Sequence, residues 1–308
     1  MGGSGGGYFK ISDPAELSKK IRDSEEQTKN QQFETDVSAF ISELLVKFND
    51  RDVTSISDHL ETIKKALEKE IEGSLDILFG GSVSKHTYVD GLSDIDALII
   101  LNKSELQGLS PIEVKDYFYE RLKQRLTNTE IKQGKLAVTV KFKDAEIQLL
   151  PAIRADNSLK IADTSGKQWA NIKPEKFATL LTSVNKELNN KVVPTIKLVK
   201  SVISTLPENR QLSGYHVESL AVEIFKLYDG ERNTKAMLKH FFNQAQNLVL
   251  SPIKDRTGQS IHVDDYLGQE NSLQRKIVSD AIGRIGRKFK NADGAQSLEQ
   301  WQSILGGP

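Results

Sequence analysis

The sequence of 308 residues contains no cysteine, which excludes disulfide bonds and metal sites built from thiolates. Any metal ion would therefore be held by oxygen or histidine ligands. The sequence also lacks an apolar run of the roughly 20 residues that span a bilayer. Its start, MGGSGGG, is glycine-rich rather than basic and then apolar, unlike a signal peptide. We therefore expect a cytoplasmic protein with no membrane association.

An excess of charge of either sign is missing as well, because Lys+Arg and Asp+Glu both total 42. Proteins that coat duplex DNA usually carry a basic excess. Activation by a nucleic acid is therefore not indicated by the net charge, although local basic patches leave it open. Hydrophobic residues at 38% and charged residues at 27% are typical of a globular protein.

Hydrophobic periodicity divides the chain into a mixed half and a helical half. Two helices are predicted first, over about Asp13–Asn49 and Ser55–Glu72. The predicted strands are Leu75–Phe79, Ile95–Asn102, Leu136–Phe142 and Ala145–Leu150, with a helix over Pro111–Leu126. A loop is expected after Pro151, then helices over Pro174–Asn189, Val193–Thr205, Tyr215–Asp229, Thr234–Val249 and Ser272–Asn291, and a flexible tail over Ile304–Pro308.

The predicted organisation is thus a flexible glycine-rich arm (residues 1–12), a core of sheet and flanking helices that includes the N-terminal helices (13–165), and a helical lobe (166–308). Strands interrupted by helices indicate a small α/β or α+β unit, and helices alone follow it. The catalytic chemistry is expected where the first two strands meet.

The stretch between those two strands is the most informative part of the sequence. The first strand ends at Phe79, two glycines then permit a tight turn with close backbone approach, and Ser82 opens a short helix whose free N–H groups favour phosphate. Twelve residues after Ser82 the chain enters the next strand through Asp94-Ile95-Asp96. An isolated Asp-x-Asp is common in proteins, whereas this combination is specific.

Asp94 and Asp96 project to the same side of their strand, about 7 Å apart at Cα, while Ile95 and Ala97 face the core. Carboxylates at this spacing can bind two Mg²⁺ or Mn²⁺ ions about 4 Å apart, the arrangement used for in-line phosphoryl transfer. One ion would activate the attacking hydroxyl, and the other would neutralise the triphosphate and the leaving pyrophosphate.

Residues 80–101, GGSVSKHTYVDGLSDIDALIIL, resemble the nucleotide-binding element of DNA polymerase β-type nucleotidyltransferases. The later segments EIQLLPAI, Lys197 with Lys200, and Leu212-Ser213-Gly214-Tyr215-His216 resemble the bacterial CD-NTases, the oligonucleotide cyclases of CBASS anti-phage operons. The resemblance extends over about residues 30–305. It implies an α+β fold with a polymerase β-like mixed sheet, flanking helices and a C-terminal helical lobe that closes the active-site cleft.

The sequence departs from the family pattern at the third acidic position, which reads Gln148 here. Glu146 lies two residues earlier and therefore shares a strand face with Gln148. We predict that Glu146, together with Asp94 and Asp96, binds metal, and that Glu146 is the general base for the 2′- or 3′-hydroxyl, with Gln148 orienting it or a water. The alternatives are that Glu146 is only a solvated strand residue, or that Gln148 marks an inactive enzyme.

Further nucleotide contacts follow from the resemblance: phosphate contacts near the GGS turn, triphosphate contacts from the lysine helix, and base contacts near the SGY motif. The residues expected to bind nucleotide are Gly81, Ser82, Lys85, Gln148, Lys197, Lys200, Ser213 and Tyr215. Lys197 and Lys200 are three apart on one helix and therefore lie on one side of it. The alternatives are a solvated lysine face and a core tyrosine at a helix start.

The resemblance implies a metal-dependent enzyme that joins NTPs, with ATP among them, into a cyclic di- or trinucleotide in bacterial anti-phage defence. It also implies a separate effector that responds to the product, and a regulatory partner of the HORMA type or a ubiquitin-transfer-like system. Two alternatives stay open: a nucleotidyltransferase that acts on RNA, protein or a small molecule, and a catalytically inactive nucleotide-binding scaffold.

Overall fold

The computed structural model describes residues 14–50, 52–68, 74–79, 81–90, 95–102, 105–155, 158–163, 165–257 and 260–306. Two helices come first, α1 (Pro14–Lys47) and α2 (Val53–Glu68). The predicted α+β class is confirmed, because a mixed sheet is followed by a helical half. The predicted arm at residues 1–12 lies outside the described residues.

One mixed sheet contains all the described strands. They are β1 (Ser74–Phe79), β2 (Ile95–Asn102), β3 (Glu130–Gln133), β4 (Val138–Lys141), β5 (Glu146–Ala155), β6 (Ser158–Ala162) and β7 (Trp169–Ile172). The order is β1-β2-β5-β4-β3, with β6 pairing the end of β5 and β7 pairing β6. Only the β2–β5 pair is parallel among these pairings. The prediction of a loop directly after Pro151 is wrong, because β5 continues to Ala155 and strands β6 and β7 follow it.

The other helices, except the last one, follow the predicted positions closely. They are α3 (Gly81–Ser84), α4 (Pro111–Arg125), α5 (Pro174–Glu187), α6 (Val192–Ser204), α7 (Gly214–Phe225), α8 (Thr234–Leu248), α9 (Leu273–Gly294) and α10 (Leu298–Leu305). Helix α10 was not predicted. The expected flexible tail is wrong at Ile304 and Leu305, because the apolar side of α10, with Trp301 and Leu305, is buried against the helical core.

Two large apolar cores divide the molecule. The first lies between the sheet and helices α2 and α4 and takes one face of β2, namely Ile95, Ala97, Ile99 and Leu101. The second is the helical lobe. Helix α1, which the sequence-based division grouped with residues 13–165, contributes Phe33, Val37, Ile41 and Leu44 to this helical core.

The sheet face opposite α2 and α4 carries the functional side chains. There β2 places Leu98 and Ile100 in a small apolar cluster with residues of β5, β6 and β7. Because β2 is apolar on both faces, Asp96 at its beginning is an exception to the burial pattern of the strand. The short helix α3 connects β1 to this region and packs against α7 of the helical lobe. Across the described ranges, no helix combines the length and the apolar character that a membrane span requires.

Candidate active site

The parallel pairing of β2 with β5 places the predicted polar residues side by side. Asp96 is the register partner of Gln148, and Gln148 also faces Thr139 of β4. Neighbouring strands lie about 4.8 Å apart, so the Asp96 and Gln148 side chains emerge next to each other on one face. The first residue of β5, Glu146, lies two positions earlier on that face, opposite Lys141.

The predicted group of three carboxylates is only partly described. Ile95 and Ala97 are 1% exposed, which confirms that they face the core and that Asp96 points to the opposite side. Asp94 lies outside the described residues. Within the described part of the chain, no three His, Asp or Glu side chains form a group that could hold a metal ion. Metal binding by Asp94, Asp96 and Glu146 therefore stays a prediction.

Glu146 is a half-exposed residue with a weak cationic neighbour. Its side chain is 38% exposed, and Oε2 lies 3.9 Å from Nζ of Lys141, which is itself 50% exposed. Exposed pairs of this kind contribute roughly 0 to 1 kcal/mol, so a multivalent cation can compete with Lys141 for this carboxylate. The structure thus leaves the Glu146 carboxylate beside Gln148 and available to a ligand.

Lys200 of α6 faces this part of the sheet from the helical lobe. Its Nζ donates to the Thr87 carbonyl oxygen at 3.0 Å, to Thr87 Oγ1 at 3.3 Å and to Glu218 Oε1 at 2.7 Å. The pKa of Lys200 is lowered, mainly by burial; Glu218 opposes this shift, Lys85 adds to it, and Asp96 opposes it more weakly. The interaction with Asp96 shows that the ammonium of Lys200 lies within electrostatic range of the sheet face.

Lys85, which follows α3, pairs with the same carboxylate. Its Nζ contacts Glu218 Oε2, and it lies 5.1 Å from the ring centre of Tyr215 and 5.3 Å from that of Phe177. The Lys85 side chain is 11% exposed and that of Glu218 is 1% exposed. Burial alone would raise the pKa of Glu218, but Lys85 and Lys200 outweigh this effect and hold the pKa below its usual value.

Lys197 does not lie on a solvated face, because it is 5% exposed and Lys200 is 7% exposed. Its Nζ donates to Asn49 Oδ1 and lies 4.3 Å from the ring centre of Tyr88. Burial, and then the charge of Lys200, lower the pKa of Lys197. The alternative that the two lysines form a solvated helix face is therefore wrong.

Ser82 holds the segment after the GGS turn in place. It is 8% exposed and lies within α3, as predicted. Its carbonyl oxygen accepts a hydrogen bond from the Thr87 N–H at 2.9 Å. The chain therefore folds back after α3, which brings Lys85 and Thr87 towards α6 and α7. Gly81 is the first residue of α3.

The SGY motif forms the beginning of α7. Ser213 is the N-cap residue, and its Oγ accepts from the His216 N–H at 3.2 Å. The Tyr215 hydroxyl donates to Asp255 Oδ1 at 2.9 Å, and its ring meets that of Phe177 edge-on at 5.0 Å. Burial and Asp255 raise the pKa of Tyr215. Tyr215 is therefore a fixed ring at the junction, and its stacking on a base stays a prediction.

Glu218, Thr87 and Asn49 were not predicted, although each contacts a predicted lysine. For Glu218 the sequence carried a signal. The helix GYHVESLAVEIF is apolar on most sides, so a glutamate on a buried side of it requires a cationic partner. Thr87 and Asn49 lie in irregular segments, where no periodicity indicates their direction.

A protein-family model, the Second Messenger Oligonucleotide or Dinucleotide Synthetase (SMODS) domain, matches residues 30–185. No curated protein sequence matches the chain. Among solved structures, the fold is similar to that of E. coli MS115-1 CdnC in a complex with HORMA-deltaN, with 17% identity, a TM-score of 0.62, and coverage of 85% of this chain and 91% of that one.

Two further structures show the same fold. The Bradyrhizobium diazoefficiens CD-NTase CdnG in complex with GTP has 11% identity and a TM-score of 0.65, covering 87% of this chain and 94% of that one. Vibrio cholerae DncV cyclic AMP-GMP synthase, with the linear intermediate 5′ pppA(3′,5′)pG, has 10% identity and a TM-score of 0.62, covering 96% and 89%. At these identities the likeness establishes the fold alone, and it confirms the predicted fold.

Proposed function

Because the chain belongs to the SMODS family of second messenger oligonucleotide or dinucleotide synthetases, we propose that it joins NTPs, ATP among them, into a cyclic oligonucleotide. The observation that supports this site is the convergence of Asp96 and Gln148, paired on the sheet, with the buried ammonium of Lys200 on the facing helix. A carboxylate face opposite a cationic wall suits a triphosphate bound with divalent cations.

The donor atoms of the sheet face fit Mg²⁺ or Mn²⁺. Asp96, Glu146 and Gln148 all offer oxygen, the ligand atom that these hard cations prefer. We propose that Asp96 and Glu146, with Asp94, would hold two ions and that Gln148 would orient Glu146 or a water. The ions would supply charge neutralisation at the triphosphate and a lower pKa for the attacking hydroxyl.

The residues of the chain divide the remaining work. Lys85, Lys197 and Lys200 bind and orient the triphosphate, and the backbone at Gly81 and Ser82 contacts phosphate. Ser213 and Tyr215 hold the base. Glu146 accepts the proton of the attacking 2′- or 3′-hydroxyl. That oxygen forms a bond to the α-phosphorus of the second nucleotide, the bond from this phosphorus to the bridging oxygen breaks, and pyrophosphate leaves with the electron pair.

The identity of the substrates and partners rests on the relatives. The DncV structure contains a linear intermediate of A and G, and CdnG contains GTP, so we propose ATP with a second NTP, GTP being the first to test. CdnC was solved with a HORMA protein. We propose that a HORMA-type partner regulates this chain, and that the product acts on a separate effector in anti-phage defence.

A mass spectrum of the product made from all four NTPs with Mg²⁺ or Mn²⁺ tests this function. A short phosphatase-resistant product that disappears in the Asp94→Asn/Asp96→Asn variant is expected. Label transferred to added RNA or protein would instead support a different nucleotidyltransferase. The absence of pyrophosphate release with every NTP mixture, even with the regulatory partner present, would support the inactive scaffold that Gln148 suggested.

A further inference from the structure

One buried carboxylate joins both ammonium groups that approach the candidate site from the helical side. Glu218 Oε1 accepts from Lys200 Nζ at 2.7 Å and from Thr87 Oγ1, while Oε2 pairs with Lys85 Nζ. We call Lys85, Thr87, Lys200 and Glu218 the Glu218 cluster. Its members come from three parts of the chain: the segment after α3, helix α6 and helix α7.

The charges of this cluster do not cancel. Two ammonium groups face one carboxylate, and Lys197 lies near enough to affect Lys200. Buried charges are costly unless they are paired, so the cluster is stable only because Glu218 offsets most of the repulsion between the lysines. The remaining positive charge suits an anionic ligand, and a triphosphate offers several oxygens to such a site.

The cluster also fixes where those charges lie. Lys200 passes beside the start of α7, where an ideal Cβ on Gly214 would lie 3.5 Å from both Cε and Nζ of Lys200. Thr87 binds Lys200 through its carbonyl oxygen and its hydroxyl. Without the Glu218 carboxylate, the two lysines would repel each other, and the segment after α3 would lose its main polar attachment to α7.

We propose that Glu218 is a positioning residue that presents Lys85 and Lys200 to the substrate triphosphate and joins the sheet side of the site to the helical lobe. This inference rests on the proposed function and deepens it. Glu218 does not touch the substrate itself but acts through the two lysines. The charged groups that bear on Lys200 are Glu218 from α7, Lys85, Asp96 from β2, and Lys197 from its own helix.

Replacing the carboxylate by an amide of the same shape tests the proposal. We expect Glu218→Gln to raise KM for the NTPs about tenfold or more, the scale of a lost charge-assisted hydrogen bond. Glu218→Asp keeps the charge and should restore part of this loss. The alkaline loss of nucleotide binding should also move to lower pH in Glu218→Gln, because Glu218 raises the pKa of Lys200.

Asp293 offers a matched control, because it also binds two lysines in the helical lobe. Its carboxylate lies 2.6 Å from Lys235 Nζ and also pairs with Lys239, both on α8. Asp293→Asn should lower the unfolding temperature as Glu218→Gln does, but leave KM within about twofold. If Glu218→Gln and Glu218→Asp change KM no more than Asp293→Asn, or if either improves kcat/KM, the positioning role is refuted.

A double-mutant cycle identifies the route of the effect. If Glu218 acts through Lys200, adding Glu218→Gln to Lys200→Met should cost much less than it costs alone. Fully additive effects on KM would contradict the proposal. Equilibrium binding of a non-hydrolysable ATP analogue to the same variants decides the question even if the wild type forms no product. In that case the proposed turnover fails, whereas a tenfold loss of binding in Glu218→Gln alone still supports the positioning role.

Discussion

The two sides of the candidate site hold their carboxylates in different ways. On the sheet, Glu146 is 38% exposed and its cationic neighbour is 3.9 Å away. On the helical side, Glu218 and Asp264 are 1% and 0% exposed, and each is paired at 2.7 Å with a lysine or an arginine. The helical lobe therefore compensates its buried carboxylates internally, whereas the sheet face is suited to compensation by bound divalent cations.

A second buried carboxylate, Asp264, is compensated in the same way. Arg275 Nη1 donates to Asp264 Oδ2 at 2.7 Å and also binds the Val249 carbonyl oxygen at 3.0 Å. His216 Nε2 lies 3.5 Å from the same Asp264 oxygen, but burial lowers the pKa of His216 to about 4, so this contact is not an ion pair at neutral pH. Arg275, and not His216, therefore compensates the negative charge of Asp264.

The largest effect that separates the two sides is expected at Asp96. Asp96→Asn should reduce turnover by at least about 1,000-fold, the scale of several kcal/mol of lost metal-based stabilisation. The unfolding temperature should change little, because the relieved repulsion with neighbouring carboxylates offsets the lost attraction to Lys200. Pyrophosphate release and thermal unfolding measure the two outcomes. Turnover near that of the wild type would remove the metal assignment.

On the helical side, removing a carboxylate should lower stability and leave turnover unchanged, the opposite of the result expected at Asp96. Asp264→Asn leaves Arg275 buried without its partner and should lower the free energy of unfolding by about 3 kcal/mol, with turnover of the folded fraction retained. Asp265→Asn, at a neighbouring side chain that is 61% exposed, should change it by less than about 0.5 kcal/mol. Urea unfolding compares them. Equal losses would mean that burial does not distinguish these carboxylates.

Variants of Glu146 and Gln148 can show which of these two residues takes the role of the third acid on the sheet face. Glu146→Gln should slow turnover by at least about 100-fold if Glu146 is the general base. Gln148→Ala should have a smaller effect, because Gln148 only orients Glu146 or a water. Single-turnover rates measure both variants. The reverse order would mean that Gln148, directly beside Asp96, occupies the functional position of the third acid.

A pH dependence gives the smallest expected effect. Since the pKa of His216 is about 4 in the folded protein, against 6.5 ordinarily, the unfolded chain binds more protons between these values. The neutral His216 therefore contributes fully to the free energy of unfolding above pH 6.5, and this contribution is lost as the pH falls towards 4. The free energy of unfolding should fall by about 2 kcal/mol between pH 7 and pH 5. Urea unfolding of His216→Gln should show a correspondingly smaller change over this range.

The sequence predicted the parts of the fold that depend on local patterns. The apolar run of β2, the short helix at Ser82 and the helical half were found from periodicity and glycines. Strands β3, β6 and β7 were missed because each has only four or five residues and mostly unburied side chains. Helix α10 was missed because its apolar side becomes evident only where Trp301 packs on the helical core.

The site was predictable to the same extent. The motifs indicated Asp96, Gln148, Lys85 and Lys200, and the structure brings them together around the junction of β2, β5, α6 and α7. Glu218 was missed because its partners are distant in sequence. Lys85 lies 133 positions before it, and Lys200 lies 18 positions before it on another helix. The local pattern of α7 indicates that Glu218 is buried, but packing decides which distant lysines pair with it.

Binding of Mn²⁺ with a non-hydrolysable ATP analogue, compared between the wild type and Asp96→Asn, tests the central claim most directly. The claim is that carboxylates of the sheet hold the metal while the buried lysines of the helical lobe hold the triphosphate. It predicts that Asp96→Asn loses Mn²⁺ binding but retains metal-free binding of the analogue through Lys85 and Lys200. Equal Mn²⁺ binding by both proteins would contradict it.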